Sequence, residues 1–176
     1  MWIRAIRFFI RKKGAAAWII PLMVLMGTSC GGRGDLPITT ASKDALKCFY
    51  EAREAGENLH LEEAVALLDR AIELDPEFAM AYLYRGRFKR EPAELRRDLL
   101  KAIELAPGVS PGEQAVIDAY RGYYEENDPA KAIENYDQLA QMYPKDKRVH
   151  WRLGAFYRLR DRHQEAVREQ NTAISL

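Results

Sequence analysis

Reactive chemistry is scarce in this chain. Its 176 residues include two cysteines and three histidines. His60, His150 and His163 have no metal-ligand spacing with Cys48 or with one another, so no metal site is expected. There is no glycine-rich phosphate loop, no serine elbow and no His-Glu metalloprotease pattern. The expectation is therefore no catalytic residue, no cofactor, no small-molecule substrate and no enzyme. Strict apolar–polar alternation is missing after residue 42, which argues against a sheet. An excess of positive charge is missing too, with 27 Lys and Arg against 26 Asp and Glu. Five of those cations fall in the first thirty residues, where there is no acid, leaving 22 cations against 26 acids in the rest. Duplex binding needs a basic stripe that neutralises many phosphates, so nucleic acid is not an expected partner.

The two ends of the chain differ in kind. Residues 1–13 are basic (Arg4, Arg7, Arg11, Lys12, Lys13), and AAAWIIPLMVLM follows, broken by Pro21. That apolar run is short of the ~20 residues that span a bilayer. A basic start, a short apolar centre and a small-residue exit (Gly27, Thr28, Ser29) read as an export signal over 1–29. The site resembles the lipoprotein signal of bacteria, in which a cysteine after small residues becomes the lipidated N-terminus. Thr28 and Ser29 fit it, whereas Gly27 stands where that family usually has Leu. The resemblance implies lipid on Cys30, which leaves Cys48 single and unable to form an internal disulfide. Each buried CH₂ contributes ~0.8 kcal/mol, so two or three acyl chains anchor stably. The alternatives are a plain export signal cleaved near Ser29 and an uncleaved membrane anchor. Residues 30–41, rich in Gly and small polar residues, read as a flexible tether. Arg33-Gly34-Asp35 is too short a match to carry an adhesion role.

From Ser42 onward apolar and small residues recur at threes and fours, as in Ala64, Leu67, Leu68, Ala71 and Ile72, which predicts helices throughout. Pro76, Pro107 and Pro144 stop them at separations of 31 and 37 residues. LLDRAIELDP (Leu67–Pro76) and LLKAIELAP (Leu99–Pro107) are near copies. EEAVALLDRA, PAKAIENYDQ and QEAVREQNTA share an alanine (Ala64, Ala132, Ala166), three residues and a packing position (Leu68, Tyr136, Gln170). The last unit adds Leu153-Gly154-x-x-Tyr157. Self-similarity near this period is the mark of stacked repeats.

These residues resemble the tetratricopeptide repeat, with its Trp-x-x-Leu-Gly-x-x-Tyr, Ala-x-x-x-Phe and Pro signature. The resemblance covers residues 42–176 as units 42–78, 79–109, 113–146 and 147–176. It implies an all-α solenoid of about four helical hairpins. Gly86, Gly154 and the repeated alanines suit close helix contact, and Tyr82, Tyr123 and Tyr157 suit the space between hairpins. Ser110-Pro111-Gly112-Glu113 has a capping serine, a first-turn proline and a reciprocal Glu. Asp75-Pro76 and Asp128-Pro129 are expected to repeat the cap-plus-proline device. Arg85 and Lys89 stand where apolar residues are usual. Tyr120 stands at a normally small position, which predicts a wider third hairpin.

The same resemblance places the first helix of each unit on a concave, partner-binding face. It assigns Leu46, Tyr50 and Arg53 to that face in unit one, and Met80, Leu83, Arg87 and Arg90 in unit two. Gln114, Ile117, Arg121 and Tyr124 follow in unit three, and Arg148, Trp151 and Arg158 in unit four. Arginines among aromatics are the composition of binding hot spots, and guanidinium forks suit carboxylates. The expected partner is another protein, offering an acidic peptide, tail or helix. The reading is a membrane-tethered interaction scaffold of the bacterial cell envelope, on its exported side. Its alternatives are a non-lipidated exported repeat protein, or a regulatory subunit of an envelope enzyme or of a pilus or outer-membrane assembly complex.

Overall fold

The computed structural model describes residues 34–176. The expected export signal, Cys30 and the first tether residues lie outside the described residues. Among the described residues there are eight α-helices and no strand. They are α1 (Lys43–Glu57), α2 (Leu61–Leu74), α3 (Ala79–Lys89), α4 (Pro92–Leu105), α5 (Pro111–Tyr124), α6 (Pro129–Met142), α7 (Lys147–Arg158) and α8 (His163–Ser175). A 3-10 turn, Ala106–Gly108, follows α4. Consecutive helices pair as α1/α2, α3/α4, α5/α6 and α7/α8, and each pair packs on the next. None of these helices is long and apolar enough to cross a membrane.

The helix starts follow from side-chain oxygens that satisfy otherwise unpaired N–H groups. Ser42, Asp128 and Asp146 each accept from an amide in the first turn of α1, α6 and α7. Ser110 and Glu113 cap α5 reciprocally. Asp75 does not cap a helix start as expected, because α3 begins only at Ala79; Asp75 ends α2 instead. Each inner turn is closed by one non-glycine residue in the left-handed region: Leu59, Arg90, Asn127 and Asp161.

Small residues set the helix spacing. A Cβ on Gly86 would lie 3.1 Å from the Leu95 backbone, and one on Gly154 would lie 3.0 Å from the Ala166 carbonyl. The expected widening at Tyr120 is not found: α5 and α6 pack as closely as α7 and α8. Gly122 takes over the close approach, since a Cβ there would meet Lys131 at 2.9 Å. The looser junction lies instead between the second and third hairpins, where α4 meets α5 less extensively than α2 meets α3. Arg85 is accommodated by charge. Its guanidinium binds Asp98 through two bonds of 2.7 Å and Asp69 through one of 2.8 Å, which ties α3 to both α2 and α4.

The tether reading of residues 30–41 is corrected for the described part. Residues 34–42 form a strap laid across the junctions between hairpins. Ala41 N–H donates to Asp75 at 2.9 Å, Thr39 N–H to Glu113 at 2.8 Å and Leu36 N–H to Asp146 at 2.9 Å. Leu36 and Ile38 are buried in the common core. Composition suggested solvation; two apolar side chains and three buried acids override it.

Candidate functional site

Two cavities open among the first helices of the hairpins. The larger, about 760 Å³, lies at the loose second–third junction, lined by Arg87, Arg90, Leu95, Arg96, Tyr120 and Tyr124 among others. The smaller, about 390 Å³, lies between the first and fourth hairpins, with Arg53, Tyr84, Arg148, Trp151 and Ile174 among its walls. Arg87, Phe88 and Arg152 belong to both, so the two form one groove.

Several expected groove residues line it: Arg53, Arg87, Arg90, Tyr124, Arg148 and Trp151. Leu46 and Tyr50 are half-buried beside the core at the α1 wall. Met80, Leu83 and Ile117 are corrected, because all three are sealed in the core. On α3 the groove face is rotated by one residue, to Tyr84, Arg87 and Phe88, since the apolar Leu83 turns toward the neighbouring helices. Gln114 is corrected as well: its amide donates to the Val109 carbonyl at 3.0 Å and stays with the 3-10 turn. Arg121 pairs with Asp118 at 3.1 Å and Glu126 at 3.3 Å, away from both cavities. Arg158 is exposed at the far end of α7 and lines neither. The residues missed are Tyr84, Phe88, Tyr120 and Arg152. Their signal was local: Tyr84 precedes Arg87 by three, and Arg152 follows Arg148 by four, so each pair shares a helix face.

The electrostatics of the groove are lopsided. Its two acids are already engaged, Glu57 by Arg148 at 2.6 Å and Glu125 by Arg96 at 3.0 Å. Among the described residues no carboxylate pairs with Arg53, Arg87, Arg90 or Arg152. Aromatic rings cover the guanidinium faces instead. Arg87 lies 4.4 Å from the Tyr84 ring centre and 5.1 Å from that of Tyr120, and Arg53 lies 4.8 Å from that of Tyr50. Such contacts are worth about 0.5–2 kcal/mol and supply no counter-charge. The buried Arg53 Nε has no hydrogen-bond partner among the described residues, and the sealed Tyr120 hydroxyl lies beside that of Tyr136. Burial pushes the Tyr120 phenol above its ordinary range, partly opposed by the Arg87 charge. The arrangement can bind an anion flanked by apolar surface. It brings together no nucleophile–base pair among the described residues: His150, which is buried, is held by Glu169 at 2.8 Å and the Pro144 carbonyl at 3.1 Å. No cluster of His, Cys, Asp or Glu among the described residues could hold a metal.

Fold and groove together define a helical-hairpin scaffold with a lined concave face. The tetratricopeptide repeat profile matches residues 50–89 and 118–174, more than half of the chain. This chain belongs to the tetratricopeptide repeat family. No curated protein matches it. Solved structures similar to it include MamA, residues 41 to end, from Desulfovibrio magneticus RS-1, at 18% identity, with 76% of this chain and 75% of that one covered and a TM-score of 0.40. Another is YrrB, described as a TPR protein with an unusual peptide-binding site, at 19% identity, 75% and 86% coverage and a TM-score of 0.39.

Proposed function

We propose that this chain is an interaction scaffold of the bacterial cell envelope, tethered to a membrane through lipid on Cys30 and holding a segment of another protein in its groove. The observation that carries the groove is Arg87, a half-buried cation with aromatic rings on its faces and, among the described residues, no carboxylate at its edges. Desolvating a charge without a counter-ion is costly, and a bound partner supplies what the fold withholds. The tether rests on the order basic, apolar, small, cysteine in residues 1–30. Gly34 lies against Lys145 at the entrance to the fourth hairpin. A lipid on Cys30 would therefore attach the stack to the membrane from its strapped edge.

Photo-crosslinking from position 152 in intact envelopes tests the scaffold. One or a few discrete protein adducts are expected, and their absence alongside adducts from position 158 would remove the groove from consideration. Mass spectrometry of the mature N-terminus tests the tether: an acylated Cys30 is expected, and an unmodified N-terminus near it refutes the anchor.

A further inference from the structure

The edge of the stack that the tether reaches carries its own affinity for a bilayer. Resting on the tether reading above, we propose that this edge docks on an anionic phospholipid surface. Leu59, Trp151 and Ile174 enter the interface, and Lys145, Lys147 and Arg148 lie among the head groups.

Three observations converge on this surface. First, large apolar side chains are turned outward together: Leu59 is 81% exposed, Ile174 75% and Trp151 51%. They come from the α1–α2 turn, α8 and α7, yet all three stand around the smaller cavity. Gathered, exposed apolar groups mark a surface that something covers, and Trp is enriched where bilayer meets water. Second, the adjoining turn is basic where the fold gains nothing from it. Lys147 and Arg148 occupy the first turn of α7, against the helix dipole, whereas the first turns of α1, α2, α4, α5 and α8 carry acids. Lys145 stands exposed just before them. Asp146 is buried and engaged by the Leu36 and Arg148 amides. Among the described residues, the acids facing these cations are Glu57, which holds Arg148 at 2.6 Å and meets Lys147 only at 3.9 Å, and Asp35, 3.9 Å from Arg148. Third, position decides for lipid over a soluble partner. Gly34 lies against Lys145, and Asp35 against Arg148. Cys30 is five residues before Asp35, a reach of at most about 18 Å, and Gly31, Gly32 and Arg33 between them add no acid. Acyl chains on Cys30 therefore keep a bilayer beside this patch at an effective concentration that a free partner lacks. Apolar burial combined with attraction to anionic lipid is what holds a protein at an interface. None of the six side chains lines the larger cavity, so membrane and partner segment draw on different residues there.

The test is quenching of Trp151 by brominated phospholipid in vesicles that carry the full chain. Trp2→Phe and Trp18→Phe make Trp151 its only tryptophan. Strong quenching and a blue shift are expected in phosphatidylglycerol-rich vesicles, and weak quenching in phosphatidylcholine alone. Lys145→Gln and Lys147→Gln should each lower the ratio of docked to undocked emission by about fivefold, the scale of one basic residue at an anionic surface. Leu59→Ser and Ile174→Ser lower it as well, while Arg70→Gln, at an exposed position on α2, leaves it unchanged. Mass spectrometry of the same preparation reads the N-terminus. An acylated chain whose Trp151 stays unquenched overturns the patch and keeps the tether. An unacylated chain whose Trp151 is quenched only in anionic vesicles keeps the patch and removes the tether. Equal quenching in both lipids, or quenching indifferent to Lys145 and Lys147, overturns the proposal. Photo-crosslinks from position 174 in envelopes that join protein instead of lipid also overturn it.

Discussion

Replacing Glu113 by Ala should detach the strap and cost about 3–5 kcal/mol. Glu113 is fully buried at the start of α5. Its carboxylate accepts from Thr39 N–H at 2.8 Å, Thr39 Oγ1 at 2.6 Å, Ser110 N–H at 3.0 Å and Ser110 Oγ at 2.8 Å. Losing the cap costs about 1 kcal/mol. Losing two charge-assisted bonds from the strap adds about 2–4 kcal/mol, since such bonds are worth about 1.5–3 kcal/mol each and do not sum fully. Denaturant unfolding checks the total, and a cycle with Thr39→Ala isolates the strap, with a coupling of about 1 kcal/mol or more expected. Hydrogen exchange should show the Thr39 and Leu36 amides protected in the parent and fast in the variant. A cost below about 1 kcal/mol, or exchange in the parent as fast as in a free loop, would refute the strap.

Three further outcomes follow from packing and charge. Arg85→Met leaves Asp98, which is 1% exposed, with only the long 3.4 Å contact from Arg97 and should cost about 3–5 kcal/mol, while Arg85→Met with Asp98→Leu recovers most of it; an equally unstable double variant counts against a buried pair. Leu59→Gly relieves a left-handed backbone (φ 65°) at an exposed side chain and should raise stability by about 0.5–1 kcal/mol in thermal unfolding, and a loss would show that Leu59 packs in a way its exposure does not reveal. Burial and a 2.8 Å bond to Asp137 push the Tyr157 phenol up to about 12. Its folded pKa lies above the unfolded value of about 10, so its contribution is complete below pH 10 and fades as the pH climbs toward 12; Tyr157→Phe should flatten that alkaline decline, and an unchanged slope in pH-dependent unfolding contradicts it.

Helices and repeats were legible because their causes are local. Apolar spacing, prolines after AIEL segments and the Ser110–Glu113 box act within a few residues of themselves. The strap was illegible for the opposite reason. Leu36 and Asp146 are 110 positions apart, and Thr39 and Glu113 are 74 apart. Nothing within GRGDLPITTAS announces partners at that distance, although Leu36 and Ile38 do alternate. Asp75-Pro76 misled because the same dipeptide that starts a helix also ends one, and Asp75 was recruited by Thr40 and Ala41 of the strap. In the groove, residue types were readable and the helix rotation was not. An error of about 100° per residue is enough to exchange Leu83 for Tyr84.

Departures from the repeat motif were the most informative positions, yet departure alone does not separate architecture from function. Arg85 and Arg87 sit two residues apart on α3, and both are substantially covered. Arg85 finds Asp98 and Asp69, so its charge is neutralised inside the fold and its work is finished there. Arg87 finds the rings of Tyr84, Phe88 and Tyr120, which shield its faces and neutralise nothing. Tyr120 reaches Arg87 from a position the motif reserves for a small residue, while Gly122 maintains the helix contact that residue would have made. The stack has thus moved its close-packing glycine by two places and set an aromatic under an unpaired cation. A fold that needed only stability would have no reason to leave that charge uncompensated, because a well-packed apolar side chain would serve better. On the proposed groove reading, the lack of a carboxylate therefore points to a ligand only where, as at Arg87, the side chain is also covered and lines the groove; Arg158, which has no carboxylate partner among the described residues either, is exposed and lines no cavity.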